Sequence, residues 1–246
     1  MDVFNFFSSQ WIYAFIINFT LILLAKEFPL LTKPGWYNAG ILGTILWGCL
    51  GWKGWLSVVI YFLLGSFVTK IGFARKQLAG IAESRGGRRG PENVWGSAAV
   101  GTSMAVFISS GIGPEVLFLI GFASSFAAKL SDTFGSEIGK CWGTKTFLIT
   151  SLKRVPAGTD GGISLEGTIA SLIGSLIMTL FMILLYFDEL KSYSFIIFIS
   201  GFIATLLESF VGALFQSKIN WLNNETVNCL QTICAAVISI LIASQI

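Results

Sequence analysis

The chain has 246 residues, of which 54% are hydrophobic and 12% charged, with 16 Lys and Arg against 13 Asp and Glu and a mean hydropathy of +0.77. Soluble domains carry roughly a quarter charged residues, so these proportions exclude an ordinary soluble enzyme. They predict an all-α fold, a polytopic membrane helical bundle forming one domain over residues 1–246. Histidine is absent, which excludes Ser-His-Asp triads, histidine bases and histidine-ligated zinc or haem.

Uncharged apolar runs predict eight spans: residues 3–25, 34–52, 54–69, 93–114, 116–128, 167–187, 192–215 and 226–246. The third and fifth are short, so seven is the alternative count, although Lys129 can extend the fifth by snorkelling. The first run follows Asp2 and has no small-x-small cleavage pattern at its end, so it reads as a retained span rather than a signal peptide. Eight spans put fourteen of the sixteen basic residues on one side and leave only Lys53 and Lys191 on the other. That asymmetry predicts cytoplasmic long loops and two extracytoplasmic termini. Faces of small residues, such as Gly40 with Gly43 and Ala123 with Ala127, are expected where helices touch. Cys49, Cys229 and Cys234 lie in apolar runs and no C-x-x-C pair exists, so the cysteines read as packing residues.

Polar residues concentrate in two loops, 70–93 and 131–166. In the first, Arg85, Arg88 and Arg89 stand among Gly86, Gly87 and Gly90, ahead of Asn93. This is either a basic patch facing anionic lipid or a loop that binds phosphate through guanidinium forks and close backbone approach. The second opens at Ser131. If helix continues there, Lys129, Asp132, Ser136 and Lys140 share one face. An acid, a hydroxyl and amines on one surface suit a Mg²⁺–phosphate assembly, with Asp132 as the leading metal ligand and Glu137 and Asp160 in support.

The same loop closes through Lys153, Arg154, Pro156, Gly158, Thr159, Asp160, Gly161, Gly162 and Glu166. Proline and glycines there forbid a regular helix, and the stretch from Thr159 to Gly162 can form a backbone nest for an anion. The alternative is a plain connection with Ser164 as a helix cap. A Walker A loop is rejected: Gly135 and Gly139 stand one residue too close, and Cys141 replaces the Ser or Thr that would hold Mg²⁺. Glu208 lies within the seventh span, where a carboxylate is either functional or neutral and packed. Asn224, Glu225 and Asn228 open the last span, offering an acid and amides beside these loops or serving as a cap.

Four strings, GGRRGPENVWGSAAVGT, SDTFGSEIGK, VPAGTDGGISLEGT and NNETVN, resemble an integral membrane family long catalogued as a domain of unknown function. That family takes in plant phytyl-phosphate kinase and human transmembrane protein nineteen. The likeness runs from about Lys70 to the C-terminus, and the first sixty residues match only in being apolar. More distantly, Asp132, Gly135, Gly139, Gly143, Glu166, Gly167 and Thr168 resemble the pattern of phytol kinase and dolichol kinase.

The resemblance implies a Mg²⁺-dependent kinase that uses a nucleoside triphosphate, CTP above all, and acts on phytyl phosphate or a similar isoprenoid phosphate. Its plant product feeds tocopherol and phylloquinone synthesis, so a bacterial plasma membrane or a thylakoid membrane is the expected setting. Prenol kinase, CTP-dependent nucleotidyl transferase and lipid flippase are the alternatives. The last would call for repeated halves and more midplane charges than Glu208 alone. Membrane lipid is an expected partner, nucleic acid is not, and the sequence leaves the oligomeric state open.

Overall fold

A computed structural model describes residues 9–216 and 218–246, so residues 3–8 of the first predicted span lie outside the described ones. Helix α1 (Ser9–Ala25) packs on α2 (Lys33–Lys70). Thr32 starts α2 by accepting a hydrogen bond from the Gly35 amide at 3.1 Å, with Pro34 in the first turn. Gly51 then takes a left-handed φ of 68° that an L side chain resists, and α2 doubles back there. The Trp36 and Phe62 rings stand 6.3 Å apart, where a straight helix would hold residues of that separation about 39 Å apart. The predicted second and third spans are thus the two arms of one hairpin.

The loop expected at 70–93 contains a short helix, α3 (Phe73–Leu78), and a tight turn over Ser84–Gly87. Next come α4 (Pro91–Ser109) and α5 (Glu115–Trp142). The fifth span is therefore not short, and the loop expected from Ser131 begins at Gly143 instead. There β1 (Thr146–Leu148), β2 (Arg154–Val155) and β3 (Gly162–Ile163) form a small antiparallel sheet in the order β2-β1-β3. Its register pairs Thr146 with Val155 and Leu148 with Gly162.

Ser164 then caps α6 (Leu165–Leu185), accepting from the Gly167 amide at 3.1 Å. The chain continues through α7 (Phe187–Leu190), α8 (Ser194–Val211), a π turn over Gly212–Gln216, and α9 (Asn224–Ala243).

Helix α5 is the axis of the bundle: α2, α4, α6, α8 and α9 all pack on it, and its Phe122, Phe126, Ala127 and Leu130 are fully buried. Small residues permit that crowding. A Cβ on Gly174 of α6 would sit 2.7 Å from the Leu130 carbonyl oxygen, and one on Gly201 of α8 would sit 3.0 Å from Ala127. Among the described residues five helical stretches are long and apolar enough to cross a membrane: α2, α5, α6, residues Phe187–Gln216 and α9. With the two arms of α2 counted separately these make six of the eight expected spans. Helix α1 is a shorter apolar helix, and α4, which falls on the expected fourth span, is not apolar enough to be counted with them. The protein is an integral membrane helical protein.

The connections sort into two ends. At one, the Thr32 amide donates to the Arg89 carbonyl at 3.0 Å, Asn93 bonds Glu225 at 2.6 Å, and Gly161 lies against Ser209. This end gathers the arginines of the 84–90 turn, the sheet and the start of α9. At the other end Lys53, beside the Gly51 bend, sits 5.3 Å over the Tyr186 ring.

Candidate active site at the basic end

A cavity of about 240 Å³ opens at the arginine-rich end, walled by α4, α5, α8, the start of α9 and the loops around residues 85 and 160. The helix face read from the sequence forms one wall: Lys129, Asp132, Ser136 and Lys140 all line it. Lys129 is buried and forms an ion pair with Asp132 one turn along. It also donates to Asn228 Oδ1 at 2.7 Å.

From there hydrogen bonding crosses to α4, because Asn93 Nδ2 donates to Glu225 Oε1 at 2.6 Å. Asn93 Oδ1 in turn accepts from the Gly90 amide at 2.8 Å and from Arg85 Nη2 at 2.9 Å. The last-span cluster thus does more than cap. Asn223 takes the cap, accepting from the Thr226 amide at 2.9 Å, while Asn224, Glu225 and Asn228 line the cavity.

The basic turn supplies a second wall. Arg85, Gly86 and Gly87 take φ of 55°, 68° and 77°, and Arg88 Nε donates to the Arg85 carbonyl at 3.1 Å. Arg85, Arg88 and Arg89 all line the cavity. Opposite them lies the turn Gly158, Thr159, Asp160, Gly161 and Gly162. It is held shut by Thr159 Oγ1 donating to the Pro156 carbonyl at 2.7 Å and by the Gly162 amide donating to the Thr159 carbonyl at 2.9 Å. Gly161 has φ 71°, and a Cβ there would lie 2.5 Å from the Ser209 carbonyl oxygen, so glycine is what lets this turn lie on α8. Glu208 faces the same cavity from α8.

Several residues expected at the site stand elsewhere or are already engaged. Glu166 lies outside the cavity lining: it accepts from the Thr144 hydroxyl at 2.7 Å and the Thr144 amide at 3.2 Å, closing the sheet-bearing loop. Lys153 and Arg154 are exposed beside and on β2, also away from the lining. Glu137 touches the cavity, but its carboxylate is buried in an ion pair with Lys76 of α3, with Lys140 Nζ 3.8 Å away.

Glu83 was not foreseen. It pairs with Lys140 at 3.0 Å. Partial burial would raise its carboxyl, but Lys140, helped by Arg89 and Lys129, brings it below the usual carboxylate range. Its signal in the sequence is being the sole acid between Lys70 and Gly90.

Among the described residues no three Cys, Asp or Glu side chains gather into a metal cage. Mg²⁺, however, is usually held by one or two carboxylates together with water and substrate phosphate. Asp132, Asp160 and Glu208 reach the cavity from α5, a loop and α8, among the lysines and arginines that suit phosphate. Those carboxylates would hold a divalent cation only together with water and phosphate oxygens, since among the described residues they form no cage by themselves.

The pattern of the family described as integral membrane protein DUF92 matches residues 16–236. A Synechocystis membrane protein, sll0875, is 48% identical over 235 residues, covering 94% of this chain and 90% of its own. Protein VTE6 of Arabidopsis thaliana, described as chloroplastic, is 37% identical over 242 residues, or 95% of this chain and 72% of its own. The Methanocaldococcus jannaschii membrane protein MJ0933 is 34% identical over 230 residues, 92% of each chain. The likeness therefore reaches well into the first sixty residues, where motifs alone leave only apolar character. No solved structure matches the chain. With the family pattern spanning nearly all of it and relatives alike over nine-tenths of its length, the chain belongs to the DUF92 family of integral membrane proteins.

Proposed function

We propose that this protein is a membrane-embedded isoprenoid-phosphate kinase, moving the terminal phosphoryl group of a nucleoside triphosphate, CTP for preference, to phytyl phosphate or a similar prenyl monophosphate. The observation that carries this reading is the cavity itself: all four family-like strings contribute to one pocket rich in arginine, lysine and carboxylate at one end of an apolar bundle. An oxygen of the prenyl phosphate attacks the terminal phosphorus, the bond from that phosphorus to the bridging oxygen breaks, and the nucleoside diphosphate leaves. The attacking oxygen is already ionised near neutral pH, so no histidine base is needed. What the reaction needs is positioning and positive charge, which Arg85, Arg88, Lys129 and Lys140 provide at the phosphates. Mg²⁺, when bound, adds Lewis-acid charge stabilisation, and Asp132 with Asp160 would hold it. The prenyl chain, at about 0.8 kcal/mol per buried CH₂, stays in the bilayer while its head reaches the pocket.

The test is purified protein in detergent with labelled triphosphates and phytyl phosphate. The expected products are phytyl diphosphate and CDP. Release of pyrophosphate would indicate nucleotidyl transfer, and activity on free phytol alone would indicate a prenol kinase. Arg88→Ala should raise KM for nucleotide or lipid phosphate more than it lowers kcat, since a guanidinium on a non-reacting phosphate contributes mainly to binding.

The basic end is proposed to face the cytoplasm, by the charge asymmetry. Reporter fusions near Gly87 and Gly158 should read cytoplasmic, and those at Lys191 and after Ile246 extracytoplasmic. A cytoplasmic C-terminus would overturn that orientation.

A further inference from the structure

A second cavity, of about 140 Å³, lies between α1, the two arms of α2 and α4. Its walls are apolar over most of their length, with Ile22, Trp36, Val58, Phe62 and Ala98 among them. It adjoins the charged cavity, with Tyr61, Arg89, Asn93 and Ser97 in the lining of both.

Arg89 marks the junction and is held there from several directions. Its amide donates to the Leu30 carbonyl at 3.1 Å and its carbonyl accepts from Thr32. Its guanidinium donates to the Tyr61 hydroxyl at 2.8 Å and stands 5.3 Å from that ring's centroid. Gly65 makes the room, because a Cβ there would lie 2.6 Å from Arg89 Nη2. That bond to Tyr61 is the one side-chain hydrogen bond Arg89 makes among the described residues, and the residue lines both cavities. At the far end Trp55 Nε1 donates to Asn18 Oδ1 at 3.0 Å and closes the groove. Phe62 and Trp55, seven residues apart on one arm of α2, give the groove a length of about 10 Å.

We infer that this groove holds the first segment of the substrate's isoprenoid chain, with Arg89 binding the phosphate to which that chain is attached. The inference rests on the kinase reading for the identity of the ligand. Its geometry is independent of that reading: an apolar slot that ends on an arginine shared with a phosphate-suited cavity fits a single apolar chain carrying one phosphate. A slot of this length takes only the part of a long chain nearest the head, and the remainder extends into lipid. Arg89 thereby differs from Arg85 and Arg88, which line the charged cavity alone.

The test is photolabelling of the full chain in detergent with two prenyl monophosphates, one bearing a diazirine near the head and one at the tail tip. The head-proximal probe should label peptides covering residues 55–62 and 94–98, and excess phytyl phosphate should compete. Labelling confined to α8 and α9, with kinase turnover intact, would overturn the groove and leave the kinase standing. Labelling in the groove without turnover would support the groove and remove the kinase reading. Equal competition by a two-chain phosphatidic acid would overturn the single-chain assignment. Val59→Phe and Ala39→Phe, which narrow the groove, should each raise KM for phytyl phosphate about tenfold and leave KM for the nucleotide unchanged. An equal rise for both substrates would count against the groove.

Discussion

Asp132→Asn should lower turnover by about a hundredfold or more while the protein still folds. A metal clamp on a transferring phosphate is worth several kcal/mol of transition-state stabilisation, and each 1.4 kcal/mol is about one decade in rate. The change removes a charge and almost no volume. It takes the partner charge from buried Lys129, which keeps its 2.7 Å bond to Asn228. Melting should therefore fall, but by less than for the more deeply buried Lys76–Glu137 pair, because the Asp132 side chain is 16% exposed. Kinetics at several Mg²⁺ concentrations, with thermal melting in the same detergent, separate the two effects. Near wild-type turnover at saturating Mg²⁺ would sink the assignment and move it to Asp160.

The largest loss of stability should come from a different pair. Glu137→Gln or Lys76→Met alone leaves a buried charge without its partner, at a cost of about 3–5 kcal/mol. For a chain of this size the melting temperature should fall by roughly ten degrees. Lys76 is 1% exposed and Glu137 2% exposed, and Lys76 also donates to the Thr69 carbonyl at 2.9 Å. Replacing both, as Lys76→Met with Glu137→Leu, should recover most of the loss, because well-packed apolar residues are often as stable as a buried pair. If the double variant melts normally but loses turnover, Glu137 has a catalytic part after all. If it keeps turnover, the carboxylate only fastens α3 beneath α5.

That pair also marks where sequence reasoning stops. The helix face of Lys129, Asp132, Ser136 and Lys140 was legible because a fixed period places those residues together whatever surrounds them. The α2 hairpin was legible too, since Lys53 interrupts a run too long for one crossing. Glu137 lies on the same motif and looks equally suited to metal. Its engagement depends on Lys76, 61 residues earlier on a six-residue helix too short to leave a periodic signal. Lys153 and Arg154 stand beside and on a two-residue strand, away from the cavity lining, and nothing in so short an alternation says which way a side chain faces. Glu166 is held by Thr144, because a carboxylate in the first turn of a helix serves a nearby amide as readily as a ligand. Arg89 looked like its neighbours until the α2 arms were seen to enclose it.

The length of α5 sets a physical scale for the protein. Its 28 residues extend about 42 Å, against a hydrocarbon layer of about 30 Å. Asp132 stands about 26 Å up the rod from Glu115, so with Glu115 at one edge of that layer Asp132 falls just inside the other edge and Lys140 beyond it. On that placement the carboxylate lies just beneath the polar interface, within reach of the basic residues at that end of the rod. A thicker bilayer would draw Asp132 deeper into hydrocarbon unless the rods tilt less or the membrane thins around them. Turnover in vesicles should accordingly vary with acyl-chain length, passing through an optimum, even though lipid takes no part in the chemistry.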